Sequence, residues 1–137
     1  FRTVLILLDG DQYDNRNISS FNNILVLPEN GYSPEKVFYE FLDSLDSNDE
    51  FWKRHLIMSI NVTFNYQLFH EHPLEEFEGE NESKKLHNWF ASFKDVFEEL
   101  DLYGYWKDQN EEVVNRFRIR FKEAFNSVAK YHNVGKI

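Results

Sequence analysis

A chain of 137 residues holds one domain's worth of material, and its 42% hydrophobic and 18% aromatic content, with 14 Phe and 7 Tyr, supplies enough apolar surface for a core and excludes a disordered chain. The absence of cysteine excludes a disulfide framework and a thiolate zinc site. A net charge of −9 argues against the chain as a whole being a nucleic-acid surface, and its longest apolar run, Val4–Leu8, falls far short of the ~20 residues that cross a bilayer.

Thr3–Leu8 reads as a short strand buried on both faces, because Val4, Leu5, Ile6, Leu7 and Leu8 do not alternate with polar residues, and Asn23–Leu27 reads the same way. The polar stretch Gln12–Asn22 between them is a loop or a broken crossover. Pro28 closes the second strand, and Ser33-Pro34 opens a helix with serine as N-cap and proline in the first helical position. Val37, Phe38, Phe41, Leu42 and Leu45 then share one helical face, predicted to lie on the sheet.

From Asp49 onward the pattern is helical. A short aromatic piece surrounds Phe51-Trp52, a segment runs from about Ile60 to His70, and an acidic loop over Pro73–Glu82 is expected to be the most mobile part. Leu86, Phe90, Phe93, Phe97 and Leu100, spaced by fours and threes, make a narrow apolar seam along the next helix. After Tyr103-Gly104-Tyr105 a last helix is predicted from about Asn110 to Tyr131, with Val113, Val114, Phe117, Phe121, Ala124, Phe125 and Val128 on one stripe. The expected fold class is α/β, a partial parallel sheet within residues 1–48 and a helical layer over 49–137 packed on it in the same domain. The chain enters its first strand within two residues, so it is expected to be a piece of a longer protein.

The sharpest chemical feature is Asp9-Gly10-Asp11 at the carboxyl end of the first strand. Side chains at i and i+2 of an extended segment point to the same side, hard divalent cations take oxygen ligands, and ligands of open α/β sheets sit beyond the carboxyl ends of strands. The competing explanation is a plain turn, in which Asp and Gly serve the backbone alone. Ser33 and Glu35 have ordinary explanations too, a helix cap and a first-turn carboxylate that suits the helix dipole.

Taken in order, a hydrophobic strand ending in Asp-x-Asp, a second strand ending near proline, Ser33-Pro34-Glu35 opening an amphipathic helix, a lysine-bearing helix and a long aromatic helix resemble the Toprim domain of the OLD-family (overcoming lysogenization defect) nucleases. These are ATP-dependent proteins, often bacterial antiphage effectors, in which an ABC-type ATPase is fused to a Toprim nuclease. The resemblance covers most of the chain in element order, and its motifs are confined to about the first 40 residues and a lysine region. It implies that Asp9 and Asp11 bind Mg²⁺ or Mn²⁺, that Ser33 and Glu35 help hold a second metal, and that a lysine of the helical part stabilises charge on the phosphate. Lys84, Lys85 and Lys94 are the candidates. Lys85 lies on the Trp89 flank of the seam and His87 and Lys94 lie on the other, and Lys85 is the choice, although each of the three also fits a solvated surface lysine.

By the same resemblance the chain is expected to be the nuclease module of a larger, cytoplasmic, ATPase-linked defence protein. It would hydrolyse DNA rather than RNA, meet an ATPase domain of its own or a partner chain, and form homo-oligomers through the parent. Toprim domains also carry a glutamate on or after an earlier strand, and nothing here precedes Phe1, so the isolated chain is expected to have weak nuclease activity or none. The alternative is a catalytically inactive regulatory or assembly module that binds a partner subunit through its aromatic helices. Arg116, Arg118, Arg120 and Lys122 read mainly as charged borders of the last helix's stripe, with phosphate contact by one edge as the other possibility. The histidines, His55, His70, His72, His87 and His132, lack a second ligand pair at recognisable spacing, and His70-Glu71-His72 reads as a polar loop.

Overall fold

The computed structural model describes residues 5–9, 24–27, 32–58, 61, 63–132, 135 and 137. Helix predominates among them, in the order β1 (Ile6–Asp9), β2 (Ile24–Leu27), α1 (Pro34–Ser44), α2 (Arg54–Ile57), α3 (Tyr66–Glu71), α4 (Glu82–Glu99), α5 (Leu102–Gln109) and α6 (Glu111–Tyr131), with 3-10 turns at Glu50–Lys53 and Leu74–Glu76. No helix among the described residues is long and apolar enough to cross a membrane. Contacts group the chain into two compact units, one of Phe1–Pro34 with Asn110–Ile137 and another of Glu35–Gln109.

In the first unit β1 and β2 pair in parallel, Ile6 with Ile24 through Asp9 with Leu27. These two strands are all the sheet found among the described residues. The expectation that β1 is buried on both faces is corrected, because Leu7 is 53% exposed while its ladder partner Leu25 is 2% exposed. Helix α6 packs against β2. Ala124 and Ala129 are the buried points of α6, and Phe117, Phe121 and Phe125 stack along it with successive ring centroids 6.2 Å apart.

The second unit is an aromatic helical cluster. Phe51, Trp52, Phe64, Phe69, Trp89 and Phe97 are buried together with Leu42, Leu45, Leu100 and Leu102, and Phe38, Tyr39, Phe41, Phe90 and Phe93 pack against them. The predicted face of α1 therefore packs on helices of its own unit. The predicted seam of α4 is there as well: Leu86, Phe97 and Leu100 are buried, and Phe90 and Phe93 are half-buried.

Local capping explains where these helices start. Asn65 and Asn81 hold extended backbone, and their side chains accept from Leu68 N at 2.8 Å and Lys84 N at 3.0 Å to open α3 and α4. The helix predicted over Ile60–His70 is shorter, because Asn65 fixes its start at Tyr66 and Phe64 is buried just before it. Asp101 adopts φ 51° and its carboxylate accepts from Gly104 N at 3.1 Å, at the start of a short helix, α5, that contains Tyr103-Gly104-Tyr105 and precedes the predicted last helix. The acidic stretch 73–82 is tied down: it contains a 3-10 turn, packs Leu74 and Phe77 on the core, and accepts Asn88 Nδ2 at Glu78 O over 2.6 Å.

Asp49 joins distant parts of this unit. One carboxylate oxygen accepts from Phe51 N at 3.0 Å and from the Tyr105 hydroxyl at 2.5 Å. Arg54 stacks over the Tyr105 ring at 5.2 Å and reaches the Asp101 carboxylate at 3.9 Å. Burial first, then the hydrogen bond to Asp49, raises the Tyr105 pKa above its ordinary 10.0, and burial raises that of Tyr39. A folded-state value above the unfolded one means that this contribution is complete below about pH 10 and is lost as pH rises through the folded value. Thermal melts at increasing alkaline pH should show that loss, and Tyr105→Phe should make the decline shallower. An unchanged pH profile in the variant would contradict this role.

Candidate functional site

Asp9 is the last residue of β1 and pairs in register with Leu27 of the parallel strand β2. Asp11 lies outside the described residues. Ser33 stands immediately before α1, which begins at Pro34 as the sequence predicts, and Glu35 occupies its first turn. A carboxylate there complements the unpaired N–H groups and dipole of the helix start.

The start of α1 meets the start of α4 through two side-chain contacts within the second unit. Lys36 Nζ lies 2.8 Å from Glu82 Oε1, and His87 Nδ1 lies 3.9 Å from Glu35 Oε1. The His87 side chain is 69% exposed and that of Glu35 29%, so the pair is a surface feature with little bearing on stability. Lys85 is turned the other way and donates from Nζ to Glu75 O at 3.4 Å. Residues two apart on a helix are separated by about 160° around its axis, so His87 and Lys85 address opposite sides of α4. The structure therefore brings His87 to Glu35, and it does not bring Lys85 there.

Lys94, about two turns beyond His87, lines a cleft of about 290 Å³ in the second unit. Phe38, Phe90, Phe97, Leu102 and Tyr103 form its apolar walls, and Lys94, Glu98 and Asp101 supply its charge. Lys94 is also 4.0 Å from Glu98 on its own helix. Sequence reasoning missed this cleft because its walls come from α1, α4 and α5 together, and no single periodicity records that meeting.

The described residues contain no group of three or more His, Asp or Glu placed to hold a metal ion. His70 packs its ring against Tyr66 at 4.2 Å, and His72 pairs with Glu76 at 3.2 Å, so this histidine cluster is accounted for by local contacts. Arg116, Arg118, Arg120 and Lys122 are all exposed along the middle of α6. No protein family, no curated protein and no solved structure matches the chain.

Proposed function

We propose that this chain is the acidic-rim portion of a Toprim-like α/β nuclease unit, working in a cytoplasmic, ATPase-linked antiphage protein that hydrolyses DNA. The supporting observation is the parallel, in-register pairing of β1 with β2, which ends β1 on Asp9 at the carboxyl end of the ladder, where α/β proteins place their ligands. Asp9, Asp11, Ser33 and Glu35 are all oxygen donors of the kind Mg²⁺ and Mn²⁺ accept, and their types fit such a site. Bound there, the metal would activate water and stabilise the leaving oxygen of a phosphodiester. The chain's own carboxylates would hold and orient that charge, and Ser33 with Glu35 would help hold a second ion. The lysine assignment is weaker on this structure, since Lys85 must leave the Glu75 carbonyl to act on a phosphate.

Metal binding separates this reading from its rival. Saturating Mg²⁺ or Mn²⁺ should raise the melting temperature, by the equivalent of about 2.7 kcal/mol at a hundredfold excess over Kd. Asp9→Ala and Asp11→Ala should each abolish the response. A melting temperature indifferent to both metals would remove the nuclease reading. The cleft walled by Phe38, Phe90, Phe97, Leu102 and Tyr103 favours the second reading, an inactive assembly module whose aromatic helices receive a partner subunit. That module would bind its partner equally well with and without metal.

A further inference from the structure

We propose that the exposed middle of α6 is a polyanion-binding face that grips the two backbones of a nucleic-acid duplex. This rests on the nuclease reading for the kind of polyanion, and is carried by charge and placement within the first unit. Residues 113–122 contain Arg116, Arg118, Arg120 and Lys122 and no carboxylate, in a chain whose net charge is −9. Glu111 and Glu112 precede the stretch and Glu123 follows it, with Glu112 and Glu123 one turn from Arg116 and Arg120 on the same flank.

The four basic side chains are exposed, and so is Ile119 at 60%. Arg116 and Arg120 stand one turn apart on one flank, about 6 Å along the axis, and Arg118 and Lys122 repeat that spacing on the other flank. The apolar stripe lies on the remaining side, where Ala124 is buried and Phe117 and Phe121 are half-buried. Arg118 is steadied by Asn115, 3.5 Å from Nη1 to Oδ1.

This arrangement selects among polyanions. An amphipathic helix on an anionic membrane inserts its apolar face. Here that face is partly taken up within the unit, where α6 packs against β2, Ala124 and Ala129 are buried and Phe117 and Phe121 are half-buried, while Ile119 projects between the basic flanks. An α-helix with its side chains is about 10–12 Å across and the major groove of B-form DNA is about 12 Å wide, so a helix lying in the groove presents its two flanks to opposite strands. Four phosphate contacts would give log K a slope of about −3.6 against log salt, so the grip is strong only at low ionic strength.

Binding of a short fluorescein-labelled DNA duplex to the full chain, followed by anisotropy in EDTA over a salt series, tests the face independently of any metal site. Wild type should bind with a steep salt dependence. Arg116→Gln/Arg120→Gln and Arg118→Gln/Lys122→Gln should each lower the slope by about 1.8 and weaken binding at least about tenfold at low salt. Arg116→Lys/Arg120→Lys, which keeps the charge, should retain the slope, and this separates loss of charge from loss of fold. A matching single strand should depend on one flank only. The proposal is overturned if wild type does not bind the duplex in EDTA, or if the glutamine pairs bind as wild type. It is equally overturned if phosphatidylserine vesicles are bound through these residues while DNA is not. A metal response lost in Asp9→Ala alongside unchanged duplex binding in the glutamine pairs would sink this face and leave the nuclease reading standing. Duplex binding through α6 with no metal response would do the reverse.

Discussion

Replacing Trp89 by alanine should destabilise the helical unit by about 3–5 kcal/mol, the largest loss expected of a truncation among the described residues. Trp89 is fully buried and sits at the centre of an aromatic cluster. Tyr39 meets it edge-on at 4.9 Å, Phe97 lies 5.3 Å away, and Phe69, Phe90 and Phe93 lie at 6.3, 6.3 and 6.4 Å. Alanine leaves a cavity bordered by rings whose neighbours already fill their space, so collapse is limited and the cost lies toward the upper end of the range for large-to-small changes. The indole Nε1 is buried without a hydrogen-bond partner among the described residues. Phenylalanine keeps the aromatic contacts and removes that unpaired donor, so the two effects oppose and Trp89→Phe should cost far less than Trp89→Ala. Urea unfolding followed by circular dichroism reads both variants, as a shift in midpoint at constant slope. Equal losses in the two variants would show that aromatic packing is not what Trp89 contributes.

What the sequence discloses here follows from range. Leu86, Phe90, Phe93, Phe97 and Leu100 recur at helical spacing along α4 and its C-cap, so their periodicity is visible without knowing what they touch; Phe90, Phe93, Phe97 and Leu100 join the core and Leu86 is buried. Ser33-Pro34 likewise marks the start of α1 through local backbone chemistry. Trp89 was placed on a flank of that seam, yet it is the largest fully buried side chain, because Tyr39 of α1 and Phe69 of α3 close over it from outside the helix. On the predicted face of α1, Phe38, Phe41, Leu42 and Leu45 pack in the core of their own unit, and here too amphipathicity shows that a face is buried and leaves open what buries it.

Site chemistry obeys the same limit. The position of Asp9 at a strand end was legible because the apolar run Val4–Leu8 stops there. The pairing of Glu35 with His87 was not, since it depends on the angle at which α1 and α4 approach. A helical wheel put Lys85 and His87 on different flanks, and the contacts of Lys85 with Glu75 and of His87 with Glu35 follow that division. The choice between the two flanks needed the position of α1, which no pattern within α4 encodes.

Gly79→Ala should cost about 2–4 kcal/mol, although it adds one methyl group at an exposed position. Gly79 has φ +156°, a conformation that side-chain-bearing residues rarely adopt. An added Cβ would stand 2.7 Å from Lys85 N, 2.8 Å from Lys84 Cβ and 2.9 Å from Lys84 C. Backbone cannot swing aside as a flexible side chain does, and this backbone is already committed: Lys84 N donates to Asn81 Oδ1 and Lys85 N to Asn81 O, the bonds that open α4. The loop cannot retreat freely either, because Asn88 holds Glu78 O at 2.6 Å and Phe77 packs 6.3 Å from Phe93. Either the cap of α4 or the seat of Phe77 must yield. Gly135→Ala is the matched control, since a Cβ there meets nothing within 4 Å and should leave stability within about 0.5 kcal/mol of wild type. Urea midpoints for the two variants, with hydrogen exchange at Lys84 and Lys85, decide the matter. Similar midpoints with unchanged protection at α4 would mean that the close approach of the acidic segment to this helix contributes nothing to the fold.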